Sequence, residues 1–173
     1  NQLAMRMVRH SAAEATPGRT YCGNGHITRE LRASLPYDMT GAQNRAIDEI
    51  TSDQAKPKRM LRMLQGDVGS GKTLVALWAM LNAMEAGVQA ALLAPTEVLA
   101  RQHHASIRAM LAPLDIEIGL LLGQGRGTAT AKTGNATMPV LSRKDTLDKL
   151  ADGSLSLVVG THALLSESVA FHD

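Results

Sequence analysis

Apolar residues change their spacing several times along this chain, and each change marks an element. Near the start, Leu3, Met7 and His10 sit at helical spacing until Thr16-Pro17-Gly18 breaks the pattern. A second short helix is predicted from Ile27 to Leu35, stopped by Pro36. Thr40 then offers an N-cap with Gln43 three residues on, and Ala42, Ala46, Ile47 and Ile50 line one face of the helix that follows. The polar stretch Thr51–Lys58, with Pro57, reads as a loop.

From Met60 onward strand and helix signals alternate. Met60–Leu64 is a short apolar run before a glycine-rich turn and reads as a first strand. Thr73–Ala86 is apolar on nearly every side, which predicts a buried helix closed by Gly87 as its C′ residue. Val88–Ala94 reads as a buried second strand, after which Thr96 caps a helix running to about Leu111, with Pro113 beyond. Ile116–Leu122 is a third predicted strand; an amphipathic helix from about Arg143 to Ala151 precedes a fourth, Leu155–Gly160. Unalternated apolar strands separated by helices predict the α/β class, a parallel sheet flanked by helices on both faces, led by an irregular helical segment over residues 1–35. Gly123–Pro139 departs from this order: rich in Gly, Thr and Ala, it carries Arg126 and Lys132 and no acid. It reads as a surface loop, or as a basic flap near a polyanion.

Composition narrows the picture. A chain of 173 residues is about one domain's worth. With 45% hydrophobic and 20% charged residues it is globular, and its formal net charge of +2 is not that of a nucleic-acid-coating polycation. Aromatics are only 2%, so the core falls to aliphatic side chains and nine Met, and stacking platforms for single strands are not expected. The lone Cys22 has no partner for a disulfide, which suits a reducing, cytoplasmic setting. The longest apolar run, Leu74–Leu81, is far short of the ~20 residues that span a bilayer. Arg6, Arg9 and Glu14 near the start leave no signal-peptide core, and the first residue, Asn1, suggests a piece of a longer protein.

The candidate chemistry centres on Gly66-Asp67-Val68-Gly69-Ser70-Gly71-Lys72-Thr73, a match to G-x-x-x-x-G-K-[ST] between an apolar run and a predicted helix. Residues without bulk let successive backbone N–H groups turn inward around phosphate oxygens, and the following helix aims its positive end at the same anion. In that motif Lys72 reaches the β- and γ-phosphates and the Thr73 hydroxyl ligates Mg²⁺, so the expected ligand is a nucleoside triphosphate. Gln43 can complete the cap on Thr40, and its amide can alternatively pair with the N6/N7 edge of adenine, with Tyr37 near the ring. Pro95-Thr96-Glu97 follows the second predicted strand, and Gly160-Thr161-His162 repeats the arrangement after the fourth. Each is an ordinary helix start, with Glu97 pairing to Arg101 at i+4 in the first, or a seat for a phosphate of a nucleic-acid backbone. Two on one sheet edge favour a phosphate track. His103, His104 and His162 read as surface or packing histidines, and no acid, Cys or His stands at metal-ligand spacing to them.

Together these segments resemble the RecG-type bacterial ATP-dependent DNA helicases of superfamily 2. The likeness lies in Leu35-Pro36-Tyr37 with Thr40 and Ala42-Gln43, in Leu64–Thr73, in Ala94–His103 and in Val158–Leu165, and covers about residues 35–173. The restart helicase PriA and the transcription-repair coupling factor are the nearest alternatives. The resemblance implies a RecA-like first motor domain over residues 36–173, joined by a helical linker over residues 1–35 to the family's DNA-binding wedge domain. It also implies ATP with Mg²⁺ as cofactors and branched or forked DNA as partner of a monomeric bacterial enzyme working on the nucleoid. By resemblance Gln43 reads adenine, Lys72 and Thr73 serve ATP and Mg²⁺, and Pro95, Thr96, Glu97, Arg101, Gly123, Gly160, Thr161 and His162 lie along the DNA backbone. The stretch Gly123–Pro139 is longer than the family's usual connection. The family's Asp-Glu-x-His box and second motor domain are expected beyond Asp173, so the 173-residue piece alone is expected to hydrolyse no ATP, its other possible role being a non-catalytic ATP- and DNA-binding module.

Overall fold

The computed structural model describes residues 17–123 and 141–172. The expected helix at Leu3, Met7 and His10, and the loop 123–139 apart from Gly123, lie outside the described residues. The chain divides into two compact units, residues 1–87 and 88–173.

The first unit holds α1 (His26–Ser34), α2 (Gly41–Gln54) and α3 (Lys72–Glu85). The capping box at the start of α2 is complete. Thr40 Oγ1 accepts the N–H of Gln43 at 3.2 Å, and Gln43 Oε1 accepts that of Thr40 at 2.9 Å. Ile47 and Ile50 pack on Val75, with Met39, Leu64 and Trp78 around them, and Leu31, Leu77 and Leu81 are fully buried. Gly87, at φ 80°, closes α3 by donating to Met84 O.

Two expectations change here. Helix α2 continues to Gln54 through residues expected as loop. The reason is tertiary: the Gln54 amide is buried, donates to Ala79 O on α3 and accepts from Asn82 Nδ2. Met60–Leu64 is not a strand. A strand exists only where a neighbour takes its backbone N–H and C=O groups, and no described residue does so. Leu61 and Met63 are instead exposed, while Leu64 alone joins the core. Arg62 ties the segment to α2 through Glu49 and Asp53, and hydrogen bonds from Lys56 and then Arg62 hold the Asp53 carboxyl below its usual range.

The second unit is a three-stranded parallel sheet in the order β1-β3-β2, with β1 (Ala90–Leu93), β2 (Gly119–Leu121) and β3 (Leu157–Gly160). Helix α4 (Glu97–Leu111) packs on β3 and β2, and α5 (Arg143–Ala151) on β2. All four residues of the central β3 are buried, as its unalternated sequence requires. Leu121, Leu150, Leu155, Val158 and Leu164 form the core between sheet and α5. Strand β1 is less buried than its sequence suggests: Ala90 is covered, but Ala91 and Leu93, which alternate with it and so share the other face, are exposed.

Candidate functional site

In the first unit, Gly69 and Gly71 carry the loop 66–73 through left-handed backbone at φ 82° and 80°, a conformation that costs a residue with a Cβ. Gly71 is the N-cap of α3 and no side chain caps it, so the N–H groups of Lys72 and Thr73 open toward whatever the loop encloses, while that of Leu74 turns back to Gly71 O. The loop folds back on itself as Ser70 N–H donates to Asp67 O at 3.2 Å. Lys72, first residue of α3, curls over it: Nζ donates to Gly66 O at 2.7 Å and Asp67 O at 2.6 Å. The ammonium therefore already lies inside the cradle, on neutral carbonyl acceptors.

Gln43 joins this group. Its Nε2 donates to Ser70 O at 3.0 Å, and a Cβ at Gly71 would collide with the same nitrogen. The capping box and the phosphate loop are thus held by one amide, which retains one N–H and one oxygen lone pair. Tyr37 is exposed beside the entry to α2.

In the second unit, the carboxyl ends of the three parallel strands stand in register: Leu93 and Leu121 both pair with Gly160. Pro95-Thr96-Glu97, Gly123 and Thr161-His162 therefore emerge at one edge, where ligands of open α/β sheets bind. Thr96 is exposed and caps α4, accepting the N–H of Leu99 at 3.3 Å. Glu97 faces Gly123, where a Cβ would sit 3.5 Å from its carboxylate. Among the described residues no ion pair joins Glu97 to Arg101, contrary to the i+4 expectation. Gly160 is required by packing, since a Cβ there would run into Leu121 O and Leu164.

The likeness of the two helix starts holds for position and fails for chemistry. Thr161 heads only a 3-10 turn, His162–Leu165, and its side chain makes no cap. It is 2% exposed, and its hydroxyl is buried with no hydrogen-bond partner. His162 beside it is exposed. One residue at this edge was not foreseen: Arg143 Nη1 donates to Leu122 O at 2.6 Å, next to Gly123. Its position at the start of a helix carries no sign of that reach.

Of the histidines, His104 is buried against Ile118 O at 3.2 Å, and burial pushes its pKa down. Among the described residues, no three His, Cys, Asp or Glu are grouped to hold a metal ion, and no helix is long and apolar enough to cross a membrane.

A glycine loop in left-handed turns, closed by a lysine on the first residue of a helix within an α/β chain, defines a P-loop nucleotide-binding protein. The sequence profile of the DEAD/DEAH box helicases matches residues 40–171, and the chain belongs to that family. It is 43% identical over 171 residues to the ATP-dependent DNA helicase RecG of Acidithiobacillus ferridurans and 40% identical over 171 residues to that of Bacillus subtilis. These alignments cover 99% and 98% of this chain and 23% of each relative, so the chain spans about a quarter of their length. A solved structure of RecG bound to a three-way DNA junction superposes with a TM-score of 0.79 at 37% identity, over 98% of this chain and 21% of that one.

Proposed function

We propose that this chain is the nucleotide-binding part of the first motor domain of an ATP-dependent DNA helicase that remodels branched DNA, such as stalled forks and Holliday junctions, in the bacterial cytoplasm. Residues 1–35 serve as a helical lead-in and residues 36–173 as the first part of the RecA-like motor, in a protein acting as a monomer. The observation that carries the reading is the cradle, with Lys72 already seated inside it on Gly66 O and Asp67 O.

The residues present fit a nucleotide with Mg²⁺. Turns at Gly69 and Gly71 leave space that side chains would fill, and the uncapped start of α3 offers donors to an anion. Lys72 would give up the carbonyls of Gly66 and Asp67 for β- and γ-phosphate oxygens, a gain because the acceptor would then carry a full negative charge opposite the ammonium. Thr73 is the residue that would hold Mg²⁺, which supplies charge neutralisation across the phosphates. Asp67, Val68 and Ser70 offer backbone to the phosphates. The N–H and lone pair that Gln43 keeps are the complement of the N6/N7 edge of adenine.

For DNA, the exposed Pro95, Thr96, Glu97 and His162, with Arg101 and Gly123, form the backbone-facing edge, and Gly160 and Thr161 shape it from beneath. Arg143 adds positive charge there. Backbone recognition of this kind is salt-dependent. The relative solved on a three-way junction supports the branched substrate.

The test uses the whole protein that contains this chain. Lys72→Ala is expected to abolish fork-stimulated ATP hydrolysis while fork binding persists, and Thr96→Ala with His162→Ala to weaken fork binding. Undiminished hydrolysis by Lys72→Ala, or fork affinity indifferent to salt and to both edge substitutions, refutes the proposal.

A further inference from the structure

A line of hydrogen bonds runs from α1 to the phosphate loop within the first unit. Arg32 lies in the last turn of α1, with its guanidinium carbon 5.4 Å from the ring centroid of Trp78 on α3. This cation–π contact anchors the guanidinium over the ring and limits where its fork can donate. Nη2 donates to Asn44 Oδ1 at 2.7 Å. Because a guanidinium can only donate, it commits the Asn44 oxygen, and the amide nitrogen turns to Met39 O at 3.2 Å. Met39 immediately precedes Thr40, the cap residue locked to Gln43 in both directions, and Gln43 reaches Ser70 O of the loop.

The geometry points to Arg32 as a positioning residue for base recognition: through Asn44 it holds the entry to α2 in the shape that aims the Gln43 amide at the nucleotide. This inference rests on the proposed reading that Gln43 contacts adenine. Helix α2 does not need Arg32 in order to form, since its capping box is complete without it. What Arg32 adds is the path of the chain before the cap. Neither Arg32 nor Asn44 hydrogen-bonds to the phosphate loop directly; they reach it only through Gln43 and its bond to Ser70 O. The turns at Gly69 and Gly71 and the Lys72 bonds to Gly66 O and Asp67 O are made without them, so the larger effect falls on the base.

The experiment measures displacement of a fluorescent ATP from the whole protein by ATP, GTP and inorganic tripolyphosphate. Gln43→Ala, the reference, collapses the preference for ATP over GTP. Arg32→Ala is expected to weaken ATP by about three- to tenfold, the range of one ordinary hydrogen bond, with tripolyphosphate weakened less. Arg32→Lys keeps a donor without the stacked plane and falls between. Asn44→Asp keeps Arg32 its acceptor, loses the donor to Met39 and suits the negative charge preference of a helix start, so a folded protein with lost discrimination is expected. Unchanged ATP/GTP preference in Arg32→Ala and Asn44→Asp, with Gln43→Ala collapsed, overturns the inference and leaves the base reading standing. Equal weakening of ATP and tripolyphosphate by Arg32→Ala shows a structural role only and overturns it as well. An intact preference in Gln43→Ala removes the base reading and the inference together.

Discussion

Gly69 and Gly71 give a controlled comparison within a single loop. Both are left-handed, at φ 82° and 80°, so replacing either by Ala carries the same backbone strain, about 1–2 kcal/mol. The gain from a less flexible unfolded chain is also the same at both and cancels. Their surroundings differ: a Cβ at Gly69 meets nothing within 4 Å, whereas one at Gly71 displaces Gln43 Nε2. That displacement breaks the 3.0 Å bond to Ser70 O, worth about 0.5–1.5 kcal/mol net. Gly69→Ala is therefore expected to cost about 1–2 kcal/mol and Gly71→Ala about 1.5–3.5 kcal/mol. Urea unfolding followed by circular dichroism separates them, since an m-value of about 1–3 kcal/mol/M turns the difference into roughly 0.2–1.5 M at the midpoint. In a Gln43→Ala background the obstacle is gone and the two substitutions should cost the same. Equal costs in the wild-type background, or a gap that survives Gln43→Ala, would show that Gln43 does not brace the loop.

Two other consequences concern stability. The Glu85 carboxylate accepts the N–H groups of Gly25, Ile27 and Thr28 and so caps α1 from the far end of α3; Glu85→Ala should cost about 1–2 kcal/mol and speed hydrogen exchange at residues 25–28 while leaving β3 protected. Unaltered exchange there would sink the cap. His104 titrates below 6.5 in the folded chain because burial disfavours its cation. The unfolded chain then binds the extra proton first, so stability is level above about pH 6.5 and falls as pH drops below it, by up to ~1.4 kcal/mol per pH unit. His104→Gln, which can still donate to Ile118 O, should flatten urea midpoints between about pH 7.5 and pH 5; an unchanged slope would assign the acid sensitivity elsewhere.

What could be read along the chain is what neighbours in sequence decide. The capping box of α2 needs only Thr40 and Gln43, three residues apart, and α5 spans Arg143–Ala151 as its periodicity indicates. The phosphate loop is similarly local, eight residues whose glycines permit the two left-handed turns. Parallel pairing followed from unalternated apolar strands joined by helices.

Everything that depended on a distant partner was decided in three dimensions. Met60–Leu64 has the composition of a strand, but hydrogen bonds to a neighbouring strand make the element, and none form there among the described residues. Thr161 matches Thr96 in sequence context, yet packing at the end of β3 turns its hydroxyl inward while Thr96 stays at the surface. No local signal links Glu85 to α1 across some 60 residues, Arg143 to Leu122, or Arg32 to Asn44. Sequence by itself determined the motif, the helix starts and the α/β class, because short-range sterics and hydrogen bonding suffice for them. Tertiary structure decided which side chains brace the phosphate loop and which face solvent at the strand ends, because burial and pairing belong to residues that meet only after the chain has folded.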